Sequence, residues 1–227
     1  MAKEDLSIAR AARFAELGHG GNLDDKTRSE LEAAAVGDLD ARARSSALGA
    51  LVRSFDVTEH DVAALTATWL LAVRDVDAAV RRRAGELGPK IVGVATVKPV
   101  VIAALIDLLG DEEITVIETA AWALGECDLT SDQCALAVSS LAQITIEHDQ
   151  ALVREAAAAA LGALGDPNGL PAILVACTDK PAVRRRAVLA LAPFSGPEVE
   201  AAIEAATQDR DPQVRRAAEI LLQATKE

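Results

Sequence analysis

Tyrosine is absent from the chain, and only three Phe and two Trp supply aromatic mass. The apolar half of the sequence is therefore Ala, Leu, Val and Ile, a composition suited to closely packed helices and poor in stacking platforms. Gly and Pro are sparse and fall between periodic segments, which argues against low-complexity or disordered structure. No stretch approaches 18 uninterrupted apolar residues, and the N-terminus leads into an amphipathic segment. Neither a membrane span nor a signal peptide is expected. Cys127, Cys134 and Cys177 are odd in number and irregularly spaced, which fits reduced thiols in a cytoplasmic protein rather than a disulfide framework.

Basic residues are missing where acids are densest. No Lys or Arg occurs between Lys98 and Arg154, a stretch that holds ten Asp and Glu. The formal charge is −12, and it is uneven: 14 basic and 16 acidic residues through position 110, then 9 basic and 19 acidic. Such an excess disfavours general nucleic-acid or anionic-membrane binding and favours a basic partner. Also absent are G-x-S-x-G, a phosphate-binding glycine loop, H-E-x-x-H and closely spaced Cys/His pairs. His19, His60 and His148 stand far apart, and His148 reads as a solvated loop residue. No catalytic set, metal site or cofactor is expected.

What is present is a repeat. Asp211-Pro212-Gln213-Val214-Arg215 and Asp77-Ala78-Ala79-Val80-Arg81 share an Asp-x-x-Val-Arg register, and Asp40–Arg44 is a weaker copy. Numbering each copy from its Val position gives Ala43, Val80, Val116, Val153, Val183 and Val214, at intervals of 37, 36, 37, 30 and 31 residues. Four positions on stand Ala47, Ala84, Ala120, Ala157, Ala187 and Ala218. Eight positions on stand Leu51, Gly88, Leu124, Leu161, Leu191 and Leu222. At about 100° per residue, positions 0, +4, +7, +8 and +11 share one helical face, which is predicted to be buried. Asp211 is a predicted N-cap ahead of Pro212, and Asp179 a substitute cap where Lys180 fills the Asp position.

A second amphipathic helix precedes each of these, near 26–36, 59–73, 99–109, 131–146, 169–177 and 197–207, with Thr58 and Ser131 as predicted caps and Pro99 as a first residue. A further helix over 4–17 is expected to cap the first repeat. The apolar run Ile91–Val97 is compatible with extended backbone.

The register together with Ala123-Leu124-Gly125 and Ala160-Leu161-Gly162 resembles HEAT repeats, most closely the short bacterial class that includes phycobilisome lyase repeats. The resemblance covers about 26–225. It implies an all-α, right-handed α-α superhelix over 1–227: a cap helix (1–21) and six repeats (26–54, 59–88, 99–126, 131–164, 169–192, 197–225). It also implies a protein-interaction scaffold binding on a concave face, as a monomer or weak dimer without catalysis. Bilin lyase-like, chaperone-like and DNA-alkylation-repair HEAT proteins are the alternatives it carries.

Position +1 holds Arg44, Arg81, Arg154, Arg184 and Arg215 but Ile117 in the third copy. These arginines flank the buried face and are expected to form a ladder with Asp residues of a neighbouring repeat, with ligand binding the alternative. Positions +2 and +6 point away from the core and supply the candidate partner-binding residues Arg82, Glu86, Glu118, Trp122, Glu155, Arg185, Leu189 and Arg216. Trp69 is expected in the core.

Overall fold

Alanine-rich segments with one apolar face form helices readily, because Ala loses no side-chain entropy and permits close neighbours. The computed structural model describes residues 3–19, 23–55 and 62–224. Among them are thirteen α-helices and no strand: α1 Lys3–Leu17, α2 Asp25–Gly37, α3 Ala41–Arg53, α4 Val62–Val73, α5 Ala78–Val92, α6 Lys98–Asp107, α7 Ile114–Gly125, α8 Ser131–Glu147, α9 Ala151–Leu164, α10 Leu170–Ala176, α11 Pro181–Ala190, α12 Pro197–Thr207 and α13 Pro212–Ala224. Short 3-10 turns cover Leu108–Gly110 and Pro167–Gly169.

The chain forms two compact units, Met1–Leu108 and Leu109–Glu227. In the first, α1, α3 and α5 pack side by side, backed by α2, α4 and α6; in the second, α7, α9, α11 and α13 do so, backed by α8, α10 and α12. Helix α1 lies on α3 as α3 lies on α5, α7 on α9, α9 on α11 and α11 on α13.

The buried face follows the register. Ala43, Val80, Val116, Val153 and Val183 are 0% exposed, and so are all six Ala at position +4. Position +8 is equally buried through Leu51, Leu124, Leu161 and Leu191, each contributing roughly 1.5–3 kcal/mol by leaving water. Leu222 departs from this pattern and is exposed, while Leu221 takes the buried place. The Ile91–Val97 run is not extended. Ile91 sits at position +11 and completes the buried face of α5, after which residues 93–97 turn into α6.

The glycine of Ala-Leu-Gly, at position +9, has a packing reason. A Cβ on Gly162 would stand 2.6 Å from Ala190 Cα, and one on Gly125 would stand 3.3 Å from Ala160 Cα. Gly18 meets Ala50 Cα in the same way at 2.7 Å, which places α1 in the same register with Arg10 at position +1.

Four turns between paired helices are closed alike. Asp38, Asp75, Asp111 and Asp209 each accept the amide two residues on, at 2.8–2.9 Å. The register Asp then caps the next helix: Asp40, Asp77 and Asp211 accept from Arg42, Ala79 and Gln213. Two predicted caps change. Asp179 accepts from Lys180 rather than from helix α11, and Thr130, boxed with Gln133, precedes α8 in place of Ser131. Pro99 is the second residue of α6, and Thr58 lies outside the described residues.

The arginine at +1 joins two turns. Arg44 donates through Nε and Nη2 to both oxygens of Asp75 at 2.7 Å. Arg154 does the same to Asp179 at 2.6 and 2.7 Å, and Arg184 to Asp209 at 2.8 and 2.7 Å. Arg10 of α1 reaches Asp38 at 2.6 and 2.8 Å. The free nitrogen, Nη1, donates backwards to the carbonyl of the helix's own turn: Asp38 for Arg44, Asp75 for Arg81, His148 for Arg154, Asp179 for Arg184 and Asp209 for Arg215. Arg44, Arg154 and Arg184 thus each clamp their own turn and the following one. The acceptor carboxylate is not the register Asp but the residue one or two places before that position.

One rung is missing from both sides. Ile117 replaces the arginine, and at the position corresponding to Asp75 the next turn has His148. His148 is not simply solvated. Its Nδ1 accepts the Gln150 amide, the service an Asp gives elsewhere, and its carbonyl holds Arg154.

Gly162→Ala is expected to cost about 1–3 kcal/mol in urea unfolding, because overpacking against Ala190 outweighs the gain in helix propensity. Gly37→Ala, with nothing within 4 Å, is expected to be neutral or stabilising. The hydrogen bonds from Arg154 and Arg184 hold the carboxyls of Asp179 and Asp209 below the usual range. A depressed native value means that the stabilisation is present above the unfolded value of about 3.9 and is lost as pH falls through the native one. Asp209→Asn is expected to cost roughly 2 kcal/mol at pH 7 and to flatten the loss of stability below about pH 4, measured by urea titration across pH.

Candidate functional site

Positions +2, +6 and +10 of a register helix share one line, about 40° from one another in projection, on the side turned from the buried face. On α7 that line reads Glu118, Trp122, Glu126; on α3 it reads Ser45, Gly49, Arg53. The same scaffold positions therefore carry opposite chemistry in the two units.

In the second unit the α7 line borders a groove of about 500 Å³ with α9. Its floor is Ala156, Ala159, Ala160 and Ala163, small residues that leave a trench where larger ones would fill the surface. Trp122, 49% exposed, and Leu152, 53% exposed, present apolar side chains to it. Glu118, Glu126 and Glu155 bring carboxylates, and Arg186 lies at the far edge.

The two predicted acids of this groove differ. Glu155 is held by Arg185 at 3.3 Å and Arg186 at 3.7 Å, so its charge is partly answered within the protein. Glu118 has no ion pair among the described residues. Burial, and then repulsion from Glu155, push its carboxyl above the ordinary range. Glu118 is the unanswered charge.

The other candidates fall elsewhere. Arg82 and Glu86 pair with each other at 2.6 Å, and Glu86 also accepts from Arg83 at 2.8 Å. Arg82 edges a wide basin of about 980 Å³ between α1, α3 and α5. Arg185 also donates to Gln213 at 3.3 Å, Arg216 pairs with Glu219 at 3.2 Å, and Leu189 is half-buried. Of the eight, the structure brings Glu118, Trp122 and Glu155 together in one groove. Leu152 at position −1 and Glu126 at +10 belong with them and were not expected; the helical line through +2 and +6 pointed to Glu126, whereas nothing in the register marks Leu152.

The thiols are quiet. Cys127 is buried with Sγ donating to the Ala123 carbonyl, burial raises the Cys177 thiol to about 11, and burial with the nearby Asp166 carboxylate raises Cys134. No group of three or more metal-type ligands occurs among the described residues. Trp69 is fully buried, as expected, with its indole N–H donated to the Ala84 carbonyl at 2.8 Å.

Known proteins agree with this architecture. A family model for HEAT repeats matches residues 138–223, from within α8 to the end of α13. Residues 138–223 thus match HEAT repeats. No curated protein sequence gives a significant match. Among solved structures, the X-ray structure of YibA from Escherichia coli is similar, with a TM-score of 0.62 at 19% identity, over 100% of this chain and 76% of that one. YibA thus shares the fold across both units. Human deoxyhypusine hydroxylase in complex with glycerol is similar at 19% identity over 88% of this chain and 97% of that one, but with a TM-score of 0.36, which establishes no common fold. No described helix is long and apolar enough to cross a membrane.

With one Trp buried and one half-exposed, fluorescence resolves the site. Trp122→Phe is expected to remove the red-shifted, acrylamide-quenchable emission and to leave the blue-shifted emission of Trp69; the reverse result would place Trp122 in the core.

Proposed function

We propose that the chain is a non-catalytic interaction module of the cytoplasm, whose second unit takes a basic, partly apolar segment of a partner protein into the groove between α7 and α9. The observation that supports this most directly is Glu118, an unanswered and partly desolvated carboxylate one turn from the exposed Trp122. A Lys or Arg side chain placed there would supply the missing counter-charge, while an aliphatic neighbour would cover Trp122, Leu152 and the alanine floor. Trp is also enriched among residues that dominate binding energy. HEAT repeats, which build extended surfaces by stacking, suit such a role. The Lys- and Arg-free stretch before Arg154 leaves α7 and α8 without competing cations.

The reading is tested with synthetic peptides that alternate Leu with Arg, or Leu with Glu, titrated while Trp122 emission is followed. The Arg series is expected to bind, with affinity falling as salt is raised, and the Glu series is not. Glu118→Lys or Trp122→Ala should weaken the Arg series by roughly tenfold or more, or about 1.4 kcal/mol. Equal binding by Glu118→Lys would sink the proposal.

Glu118 also has a stability signature. Its raised native value means that the ionised form costs folding free energy at neutral pH, a cost that shrinks as pH falls below that value and is gone below the unfolded value of about 4.3. Glu118→Gln is expected to raise Tm at pH 7 and to approach the parent protein near pH 4, while weakening the Arg peptides.

A further inference from the structure

The corresponding line of the first unit carries a different and unassigned arrangement. Gly49 stands where α7 has Trp122, and two guanidiniums close over it. A Cβ at Gly49 would lie 2.8 Å from Arg83 Nη2 and 3.0 Å from Arg53 Nη1, so these nitrogens are within about 6 Å of each other. Gly18 of the α1 terminus makes the same allowance, since its Cβ would meet Arg53 Nη2 at 2.7 Å and Nε at 2.8 Å. Glycines in α3 and just after α1 therefore admit the guanidinium of Arg53 against the backbone.

The charges there do not balance. Among the described residues, Arg82 and Arg83 share Glu86, and Arg53 donates only to the Ala15 carbonyl, at 3.0 Å, with Nε buried and unpartnered. Three guanidiniums against one carboxylate leave an excess of two positive charges in a protein of net charge −12. Burial, reinforced by Arg83, lowers the value of Arg53. The C-terminal dipole of α3 offsets only a fraction of one charge.

We propose that Arg53 and Arg83 form a binding site for a phosphoryl-type oxyanion. A phosphoryl group carries about −1.5 to −2 charge and three acceptor oxygens, which matches an excess of two and the forked donors of two guanidiniums with nitrogens within about 6 Å of each other. A single carboxylate would answer only half of that charge. This site uses no residue of the α7–α9 groove, so it stands whether or not that groove binds a basic peptide.

Inorganic phosphate and O-phosphoserine are the probes, each titrated at constant ionic strength while the arginine Nε–Hε resonances of the full chain are followed by NMR. The largest shifts are expected at Arg53 and Arg83, saturating in the millimolar range. Arg83→Gln should abolish saturation. Gly49→Ala keeps both charges but displaces the guanidiniums, and should weaken binding several-fold without lowering Tm. Arg216→Gln should change nothing. Arg53 itself is left intact because it holds the Ala15 carbonyl. Saturation by both probes identifies a site that accepts a carried phosphoryl group; saturation by inorganic phosphate alone identifies a free-ion site. Linear shifts spread equally over Arg42, Arg53, Arg83 and Arg216, or saturation unaffected by Arg83→Gln, would overturn the proposal.

Discussion

The bidentate pair between an arginine at position +1 and the aspartate of the next turn is the interaction on which the rest depends. It explains why the position holds Arg and never Lys: five donors in a rigid fork let Nε and Nη2 meet both carboxylate oxygens while Nη1 turns back to a carbonyl. Arg184 does all three within 2.8 Å. Hydrophobic burial brings the register helices together but is non-directional and would tolerate sliding or rotation. A charged pair that is mostly desolvated, with side chains of Arg184 and Asp209 at 8% and 14% exposure, penalises any arrangement that leaves either partner alone. The ladder thus adds register to the adhesion supplied by Val, Ala and Leu, and the glycines at +9 set how close adjacent helices come.

The same reasoning explains why the missing rung is missing twice. An arginine at position 117 without a carboxylate, or an aspartate at 148 without an arginine, would leave a half-buried charge unpaired at a cost of several kcal/mol. Replacing both, by Ile117 and His148, removes the pair without leaving an orphan. Ile117 joins the apolar core at 3% exposure, and His148 keeps the turn closed through its neutral Nδ1. The exchange also frees α7 of positive charge. Glu118, next in sequence, has no ion pair among the described residues.

The sequence made the scaffold legible because its signals repeat. Six copies of a Val, Ala and Leu pattern at one spacing, with Ala43 and Gly88 as its exceptions, located the register helices, and Gly-Asp and Pro positions located their ends to within a residue or two. The ladder was foreseeable in kind, since position +1 flanks the buried face. Its acceptor was not, because the register aspartate competes for the same role and is consumed as an N-cap. The Ile91–Val97 segment misled because β-branched residues suit a strand as well as a buried helical face, and only the count from Val80 separates the two. The candidate site was half legible. Glu118 and Trp122 follow from position, but Leu152 lies outside any repeated slot. The tightly approached Gly49 gives no sign in sequence of the two guanidiniums above it.

A stacked-repeat protein divides its positions into two sets with different freedom. Positions 0, +1, +4 and +8 face the core or the next helix, where volume and pairing are fixed by the neighbour, so they vary little among the six copies. Positions +2, +6 and +10 lie off the apolar face and are free to differ. Between α3 and α7 the change is complete, from Ser45, Gly49 and Arg53 to Glu118, Trp122 and Glu126. A small residue at +6 admits neighbouring guanidiniums to the helix surface, and a large aromatic there excludes them and offers an apolar wall instead. One substitution at +6 thus decides whether the adjoining charges gather as cations or as acids, while the buried face beneath stays the same. Specificity in this chain is therefore written in the positions the repeat leaves unconstrained, and a residue there is informative because the fold does not require it.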